Sequence, residues 1–441
     1  MSTLLRNDFR VTVIEQSRKQ KPLFDDVDCP TGELNTSINR GQGLGGTTNY
    51  WHNALIELDD HDLAKAGIAP RTMAEYYAKA WAFFLSDREL ADCNRARDAN
   101  RARVESEQCS VAHMVLPQVR HNVWDLANKR MPGDPIEVVY GHAERIVPAV
   151  NGTAGHVEVR GKTGVERVEA DHFIVAAGGL ATPVILATSL GKTDAFCPGY
   201  HDHPMAYIAK VRLKPNSRLK EVSCTATLAA EVRAGLVYET AGLKTVVYLR
   251  PAIDMRLSSI TGPARYILSD LRNDPFSPKK IMMLLGNLEA VREAILFKTR
   301  LGFRGDYFST LILGEQSPLA DRGVKLANGK RPALNWHVTE AELASYKASV
   351  DRFFEEFSGD ILEREILPVK RWEFRNAAHH SGTANQFVDA QPDANLAFFA
   401  AKQLPNTFVC DGSILRAAGI ANSGLTLVAL GYRLAELMRA M

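Results

Sequence analysis

The C-terminal part of this 441-residue chain constrains the fold more strongly than any other segment. Two adjacent histidines, His379 and His380, precede a Ser-Gly-Thr turn, and an apolar run then leads to Asp411. Asn422 follows, at the head of an apolar stretch that is predicted to be a helix over Leu425–Met438. A base, an acid and a helix start at this spacing predict a strand, a turn and a helix that face one ligand.

These residue types suit proton transfer and anion binding. An imidazole takes or holds a proton near neutral pH, and an asparagine amide donates or accepts a hydrogen bond. A helix start also favours negative charge. The simpler alternative is that the histidines are ordinary turn residues and that Asn422 is an N-cap, since asparagine commonly caps helices. The combination of the three groups favours a ligand site.

A glycine-rich segment near the N-terminus is the second constraint. Gly41, Gly43, Gly45 and Gly46 fall within six residues, so that backbone amides can approach a ligand without interference from side chains. Such amides suit a phosphate or the edge of a ring. A glycine-rich run alone is more often a flexible loop than a site, so this segment has to be weighed together with the C-terminal motif.

Together these motifs resemble the glucose-methanol-choline (GMC) oxidoreductase family of flavoenzymes, and the likeness extends over most of the chain. The family's His-x-x-Gly-Thr segment selects His379 as the catalytic histidine, because Gly382 and Thr383 lie three and four positions further on. Asn422 takes the second position of the catalytic pair, and His380 becomes a neighbour of the base. The resemblance implies that His379 accepts the hydroxyl proton of an alcohol while hydride passes to the flavin.

The resemblance also implies FAD as the cofactor. Tyr50 stands where some family members carry a histidine with a covalent flavin bond, so noncovalent FAD is predicted. The segment Asp171–Pro183 is similar to the family's second flavin-domain crossover, and Ile136–Ala149 is predicted to form paired strands whose backbone contacts adenine. The cofactor-binding residues implied in this way are Glu15, Gly43, Leu44, Gly45, Gly46, Thr47, Asn49, Ala143, Ala177, Gly178, Asp411, Gly412 and Thr426.

One part of the expected nucleotide-binding unit is missing. The segment Arg10–Glu15 resembles the second strand of a Rossmann unit, with Glu15 placed to bind the adenine ribose. A first strand, a Gly-x-Gly-x-x-Gly turn and a helix ordinarily precede it, and their loss would leave a gap whose unpaired backbone groups are costly when buried. Three explanations stay open: a misplaced start or shortened chain, a natural truncation that binds flavin poorly, and a rearranged or partner-completed site.

The predicted fold class is α/β. We expect a Rossmann-like FAD-binding domain of the GMC type, with its first βα unit missing, and an α+β substrate domain built on an antiparallel sheet. Strand-prone runs at Leu236–Tyr238 and Thr245–Leu249 favour that sheet, and a helical stretch follows at Ile281–Phe297. The predicted boundaries are residues 1-60, 130-204 and 395-441 for the FAD-binding domain, 61-129 for a helical insert or lid, and 205-394 for the substrate-binding domain.

Composition argues against several other classes of protein. A formal net charge of +2 without a long basic run gives no indication of nucleic-acid binding. The six cysteines have no Cys-x-x-Cys spacing, and the histidines lack an accompanying metal-ligand pattern. No Gly-x-Ser-x-Gly elbow of a hydrolase is present. No apolar stretch is long enough to span a membrane, so a cytoplasmic location is expected, although an export signal could be lost with the missing front.

The resemblance therefore predicts oxidation of an alcohol group of a sugar, polyol or related small molecule to a carbonyl. The reduced flavin would pass its electrons to oxygen, a quinone or a carrier protein, and the likeness to the bacterial sugar-oxidising branch favours a dehydrogenase. The alternative is a truncated, flavin-poor relic that acts as a non-catalytic small-molecule-binding or scaffold protein. The absorption spectrum of the purified protein distinguishes these two functions.

Overall fold

A computed structural model describes residues 2–23, 27–29, 40–119, 122–150, 152–252, 255, 282, 305–326, 331–389 and 395–441. Over these residues the architecture is mixed α/β, with one large antiparallel sheet and several smaller sheets. The helical stretch predicted at Ile281–Phe297 lies outside the described residues, apart from Met282. None of the helices in the described ranges combines the length and the apolar character that crossing a membrane requires.

The strands are numbered in chain order. They are β1 (Thr12–Glu15), β2 (Lys21–Leu23), β3 (Arg40–Gln42), β4 (Ser110–Pro117), β5 (Glu137–Tyr140), β6 (His142–Pro148), β7 (Ala154–Arg160), β8 (Val165–Glu169), β9 (Phe173–Val175), β10 (Phe196–Pro198), β11 (Met205–Leu213), β12 (Thr225–Ala226), β13 (Ala230–Thr240), β14 (Leu243–Pro251), β15 (Tyr307–Gly314), β16 (Gly323–Lys325), β17 (Ala333–Asn335), β18 (Ile361–Ile366), β19 (Ala400–Ala401) and β20 (Leu404–Val409).

The helices are numbered in the same way. They are α1 (Ser2–Leu5), α2 (Asp60–Lys65), α3 (Pro70–Phe84), α4 (Asp87–Val104), α5 (Val123–Arg130), α6 (Thr182–Ser189), α7 (Arg218–Val222), α8 (Glu340–Glu356), α9 (Leu396–Phe399) and α10 (Gly424–Arg439). The helix predicted at Leu425–Met438 is confirmed as α10, which packs against α3.

The large sheet has the strand order β12-β13-β14-β15-β11-β18, and β4 pairs with the other edge of β13. Successive side chains of a strand point to opposite faces. On β13, Leu236 and Tyr238 accordingly join an apolar cluster under the helices, whereas Val237 joins a separate cluster on the opposite face. This alternation gives the sheet one face covered by helices and one face that is available for a ligand.

Helix α8 covers the first of these faces. It begins with a capping box, in which the Thr339 hydroxyl accepts from the Glu342 amide and the Glu342 side chain accepts from the Thr339 amide. Tyr346, Val350 and Phe353 recur at helical spacing, and each is buried in the cluster beneath the sheet. The apolar stripe therefore fixes the helix on this face and leaves the other face to the interior of the molecule.

Two short parallel pairings carry the segments that the sequence assigns to nucleotide binding. β1 pairs with β5, with Ile14 opposite Val139, and β9 pairs with β20. In the part of the chain that the structure describes, β1 and β9 each pair along one edge only. The missing strand between such pairs stays a prediction. The segment Ile136–Ala149 does form strands, but β5 and β6 pair with β1 and β7 rather than with each other.

The division into domains also stays a prediction. One observation bears on its boundaries: β4 lies inside the region predicted as a helical insert, yet it forms a long antiparallel ladder with β13, from Ser110 opposite Val237 to Pro117 opposite Ala230. The helices α2, α3 and α4 are therefore followed directly by a strand that belongs to the large sheet.

Candidate functional site

A cavity of about 2420 Å³ is lined by N-terminal segments, by strands of the large sheet and by the C-terminal part of the chain. Gly45 contributes to its wall from the N-terminal part of the chain, and His379 and Asn422 contribute from the C-terminal part. Strands β1 and β9 border the same space. The two termini thus converge on one cavity, as the two sequence motifs require if they are to act on one ligand.

The glycine segment Gly41–Thr48 forms a tight loop in this wall. Gly45 has a φ of 93°, a backbone conformation that glycine adopts far more readily than other residues. A Cβ atom at Gly45 would also overlap the side chain of Asn122. The Asn122 amide in turn donates to the Leu44 carbonyl at 3.1 Å. Local sterics therefore require glycine here and leave the backbone exposed to the cavity.

Glu15 ends β1 and joins that strand to the glycine segment. Its Oε1 atom accepts from the Ser17 amide at 3.1 Å and from the Gly43 amide at 3.0 Å. The carboxylate lines the cavity at the carboxyl end of a parallel strand, which is the position that suits a ribose-binding acid. Gly43 itself does not line the cavity, and its amide donates to Glu15.

The structure brings most of the predicted site residues to the cavity. Those that line it are His379, Asn422, Glu15, Leu44, Gly45, Gly46, Thr47, Ala143, Ala177, Gly178, Asp411 and Gly412. Besides Gly43, the two that do not are Asn49 and Thr426. The Asn49 amide holds the Leu44 carbonyl at 3.2 Å, and the buried Thr426 hydroxyl lies 2.8 Å from that of Tyr77. Their side chains serve the local structure.

Asp411 has a structural role in the turn after β9. Its Oδ2 atom accepts from the Gly178 amide at 2.8 Å and from the Thr182 hydroxyl at 2.5 Å, and Oδ1 accepts from the Ser413 amide at 2.8 Å. Because both oxygens are already hydrogen-bonded within the chain, the carboxylate fixes the cavity wall at Ala177 and Gly178.

Asp202 lies at the centre of the histidine cluster and is 1% exposed. Its carboxylate accepts from the backbone amides of His203 at 2.6 Å and of Ala377 and His379 at 3.1 Å. Burial alone would raise the pKa of Asp202, but the hydrogen bond and charge of His380 and the charge of His379 outweigh burial and lower it. A buried carboxylate thus stays ionised and anchors the loop that carries both histidines.

His379 is held on its other side by His203. The two Nδ1 atoms are 2.8 Å apart, and the ring planes meet at 70°. Burial lowers the pKa of His379, an effect that Asp202 partly offsets and His380 reinforces. The imidazole is therefore neutral near pH 7. If His379 donates its Nδ1 proton to His203, its Nε2 atom keeps a lone pair and can accept a proton.

His380 has different partners. Its Nδ1 atom lies 2.8 Å from the Tyr200 hydroxyl, which donates to Asp202 at 2.9 Å. Both histidines line the cavity, so that the choice of His379 as the base rests on the family resemblance and on its pairing with His203.

Asp202, His203 and His379 could also be considered as ligands of a metal ion. Ligand atoms of Asp202, His203 and His379 all lie within 4.8 Å of one another. The Asp202 oxygens, however, already accept the amides of His203 and His379 and the Tyr200 hydroxyl. This arrangement favours a hydrogen-bonded anchor over a metal ligand.

Asn422 precedes α10 without capping it. The helix begins at Gly424, and the N-cap position belongs to Ser423, so that the simpler interpretation of Asn422 as an N-cap does not hold. Asn422 lines the cavity, and Ile420, two residues earlier, packs against the large sheet. The segment from Ile420 to Asn422 thus joins the C-terminal motif to the large sheet.

The free face of the large sheet supplies residues that sequence reasoning missed. Tyr207, Arg233, Tyr248 and Arg250 reach the cavity from β11, β13 and β14, and Leu311 joins them from β15. The sequence shows which side chains of one strand share a face, because successive side chains alternate. Only the pairing register, however, determines that side chains from four strands lie on one surface.

Searches against protein-family models and against curated proteins find no match for this chain. Among solved structures, pyridoxine 4-oxidase from Mesorbium loti is similar, with a TM-score of 0.59 at 14% identity over 100% of this chain and 96% of that chain. A formate oxidase matches with a TM-score of 0.60 at 12% identity over 100% and 95% of the two chains.

A variant of the formate oxidase from Aspergillus oryzae RIB40, studied for its effect on FAD modification, matches with a TM-score of 0.59 at 13% identity. This match covers 100% of this chain and 95% of that chain. At such identities the likeness shows a shared mixed α/β fold. The fold is thus one that these oxidases also use, in agreement with the architecture predicted from the sequence at that level.

Proposed function

We propose that this protein is an FAD-dependent oxidoreductase of the GMC type that oxidises an alcohol group of a sugar, polyol or related small molecule to a carbonyl. The observation that carries the proposal is the convergence of Gly45, His379 and Asn422 on one cavity. The fold shared with proteins named as oxidases supports a flavin enzyme.

The groups that line the cavity suit FAD in their chemistry. Its wall at Gly45 and Gly46 presents backbone without side chains, which fits a phosphate or a flavin edge. Glu15 stands at the end of a parallel strand for the ribose, and the turn at Ala177 and Gly178 is held rigid by Asp411. We infer noncovalent FAD, because Tyr50 does not line the cavity and offers no imidazole.

The proposed reaction removes two protons and two electrons from the alcohol, as one proton and one hydride. FAD, when bound, supplies the acceptor for the carbon-bound hydrogen and its electron pair. His379 takes the hydroxyl proton at Nε2, and Asn422 holds the same oxygen by a hydrogen bond. Burial keeps the imidazole neutral, and the contacts with Asp202 and His203 orient it, so that a base is present at neutral pH. The preference for a dehydrogenase over an oxidase stays a prediction, since the similar structures are named oxidases.

The test is to incubate the full chain with FAD, remove the excess by gel filtration, and record the absorption spectrum before and after anaerobic addition of sugars and polyols. The proposal predicts flavin bands that elute with the protein and are bleached by an alcohol. A folded protein that stays colourless would instead support the non-catalytic binding protein. Flavin that binds but is not bleached by any alcohol would contradict the proposed reaction.

A further inference from the structure

One face of the large sheet meets the cavity beside the residues proposed for proton transfer. Ile420, two residues before Asn422, packs against this face in an apolar cluster that includes Val246 and Tyr248. Met205, which also lines the cavity, begins the strand that follows His203. A substrate whose alcohol end reaches His379 and Asn422 would therefore place its remaining atoms against the sheet.

This face is cationic. Arg233 and Arg250 both reach the cavity, and the Arg250 guanidinium donates to the Tyr207 hydroxyl at 2.7 Å. We use the name cationic floor for Tyr207, Arg233, Tyr248 and Arg250. Of the described residues that the strands of this sheet contribute to the cavity, none is an aspartate or a glutamate. Arg233 forms an ion pair through Nε with Glu231, which does not line the cavity.

Tyr248 provides an independent observation. Its side chain is 3% exposed, and its hydroxyl has no hydrogen-bond partner among the described residues. Gly235 makes room for the ring, since a Cβ atom there would lie 2.6 Å from Tyr248 Cζ. A buried hydroxyl without a partner is destabilising and rare in folded proteins. Tyr248 lines the cavity, so that a ligand that reaches its hydroxyl would supply the missing acceptor.

Two guanidinium groups and a phenol hydroxyl share one chemical preference. All three donate hydrogen bonds, and the guanidinium fork matches the oxygens of a carboxylate or a phosphate. Such charge-assisted bonds are roughly twice as strong as bonds between neutral groups, so these donors discriminate between an anion and an uncharged group. The floor therefore fits an anionic oxygen group better than it fits a neutral sugar.

We propose that the substrate is an alcohol that also carries an anionic oxygen group, which Arg233, Arg250 and Tyr248 bind while the hydroxyl to be oxidised faces His379. The alcohol end of this inference rests on the proposed function, whereas the anion site rests on the cationic floor alone. Carboxylate and phosphate share the recognising chemistry, so that a sugar acid and a sugar phosphate are both admitted.

Calorimetric titration tests the anion site directly, with and without added FAD. The probes are two matched pairs: gluconate against sorbitol, and glycerol 3-phosphate against glycerol. We expect at least one anion to bind roughly tenfold or more tightly than its neutral partner, given the strength of hydrogen bonds to charged groups. The pair with the larger ratio of anion affinity to neutral affinity shows whether the site prefers a carboxylate or a phosphate. Equal affinities within both pairs would overturn the proposal.

Substitutions locate the anion site on the sheet. Arg250→Gln and Arg233→Gln should each remove most of the preference for the anion. The matched control is Arg212→Gln, an arginine of the same sheet that is paired with Asp306 and Glu363 and does not line the cavity. It should leave the preference unchanged. A preference that survives in both floor variants would place the anion elsewhere and contradict the inference.

Tyr248→Phe separates ligand binding from structural support. We expect severalfold weaker binding of the anion with an unchanged or higher melting temperature, because the substitution removes a buried hydroxyl that has no partner. A lower melting temperature with unchanged anion affinity would show a purely structural role.

Flavin reduction by alcohols without any anion preference would leave the proposed function intact and remove this inference. Anion binding without flavin retention would support this inference and contradict the proposed function.

Discussion

Two sides of the cavity are built in different ways. The first side, which we name the cofactor wall for the FAD proposed above, is formed by β1, the glycine segment Gly41–Thr48 and the turn at Ala177–Gly178. Four of its lining residues are glycines, which present only backbone, namely Gly41, Gly45, Gly46 and Gly178. The cationic floor presents long charged and aromatic side chains from one face of a sheet. Backbone recognition depends on steric freedom, and side-chain recognition depends on charge. Substitutions should therefore be able to remove one kind of binding and leave the other.

The largest expected effect lies between the two sides, at His379. His379→Ala should lower the rate of alcohol-driven flavin reduction by roughly a hundredfold to ten-thousandfold, because a positioned general base is lost. FAD content and anion affinity should stay unchanged, since neither the cofactor wall nor the floor is altered. Stopped-flow absorbance measures the rate. The control is His61→Ala, an exposed histidine on α2. Equal rates in the two variants would contradict the assignment of the base.

A change in the cofactor wall should remove FAD binding alone. In Gly45→Val the new side chain requires an unfavourable φ and overlaps Asn122, so we expect FAD affinity to fall on the order of a hundredfold. Gly242→Val is the matched control. Gly242 also has a positive φ, of 77°, but it lies in a turn of the large sheet, and a Cβ atom there would meet nothing within 4 Å. Fluorescence titration with FAD compares them. Equal affinity in both would mean that the loop at Gly45 does not bind the cofactor.

Asp202 anchors the loop that carries His379 and His380, through the backbone amides of Ala377 and His379. Asp202→Asn should cost about 3 kcal/mol of unfolding free energy, because the surrounding donors lose the charge and one of the two acceptor oxygens. Asp360→Asn, which removes the buried carboxylate partner of Arg218 away from the cavity, serves as the control. Urea unfolding measures both. Only the Asp202 variant should also lower the rate of flavin reduction, and an equal loss of rate in both variants would argue against a positioning role.

The pH dependence of Asp202 has a definite sign. Because the folded-state pKa of Asp202 is lowered from its ordinary value of 3.8, its stabilisation is fully present above that value. The stabilisation is then lost as pH falls below about 4. In the Asp202→Asn variant this part of the acid limb of the unfolding curve should be absent. An unchanged acid limb would contradict the lowered pKa.

The smallest expected effect comes from Asp62, where the floor sheet meets the C-terminal loop. The Lys244 ammonium of β14 donates to Asp62 at 2.7 Å, and a Cβ atom at Gly419 would overlap the Asp62 carboxylate. Burial raises the pKa of Asp62 from 3.8 to about 6, although Lys244 opposes the rise. A raised carboxyl pKa favours the protonated folded state, so stability should fall as pH rises from about 4 to about 6.

We expect this fall to be about 2 kcal/mol. It should disappear in Asp62→Asn and persist in Asp60→Asn, an exposed residue of the same helix. Thermal unfolding at several pH values provides the measurement. If the fall in stability with pH persists in Asp62→Asn, the titrating group is not Asp62.

The cofactor wall could be largely predicted from the sequence because its features are local. The glycine run, the strand ending at Glu15 and the His-x-x-Gly-Thr turn each occupy a few consecutive residues, and all of them reach one cavity. Gly43, Asn49 and Thr426 were harder to place, because the direction of an amide or a hydroxyl depends on partners such as Tyr77, which lies far away in the chain.

The cationic floor could not be predicted in the same way. Arg233 and Arg250 belong to different strands, and only the ladder of β13, β14, β15 and β11 brings them to one surface. A bulge between Tyr207 and Ala209 further shifts which side chains of β11 reach the cavity. Side-chain direction changes with every single-residue change of register, so composition and spacing within one strand do not determine this surface.

We propose that FAD binds between the cofactor wall and His379, while the cationic floor binds the substrate. A crystal structure of the FAD-loaded protein tests it most directly. We expect an isoalloxazine ring between Gly45 and His379, with Asn422 facing the same side of the ring as His379. A ring bound elsewhere, or FAD with His379 turned away behind the protein wall, would contradict it.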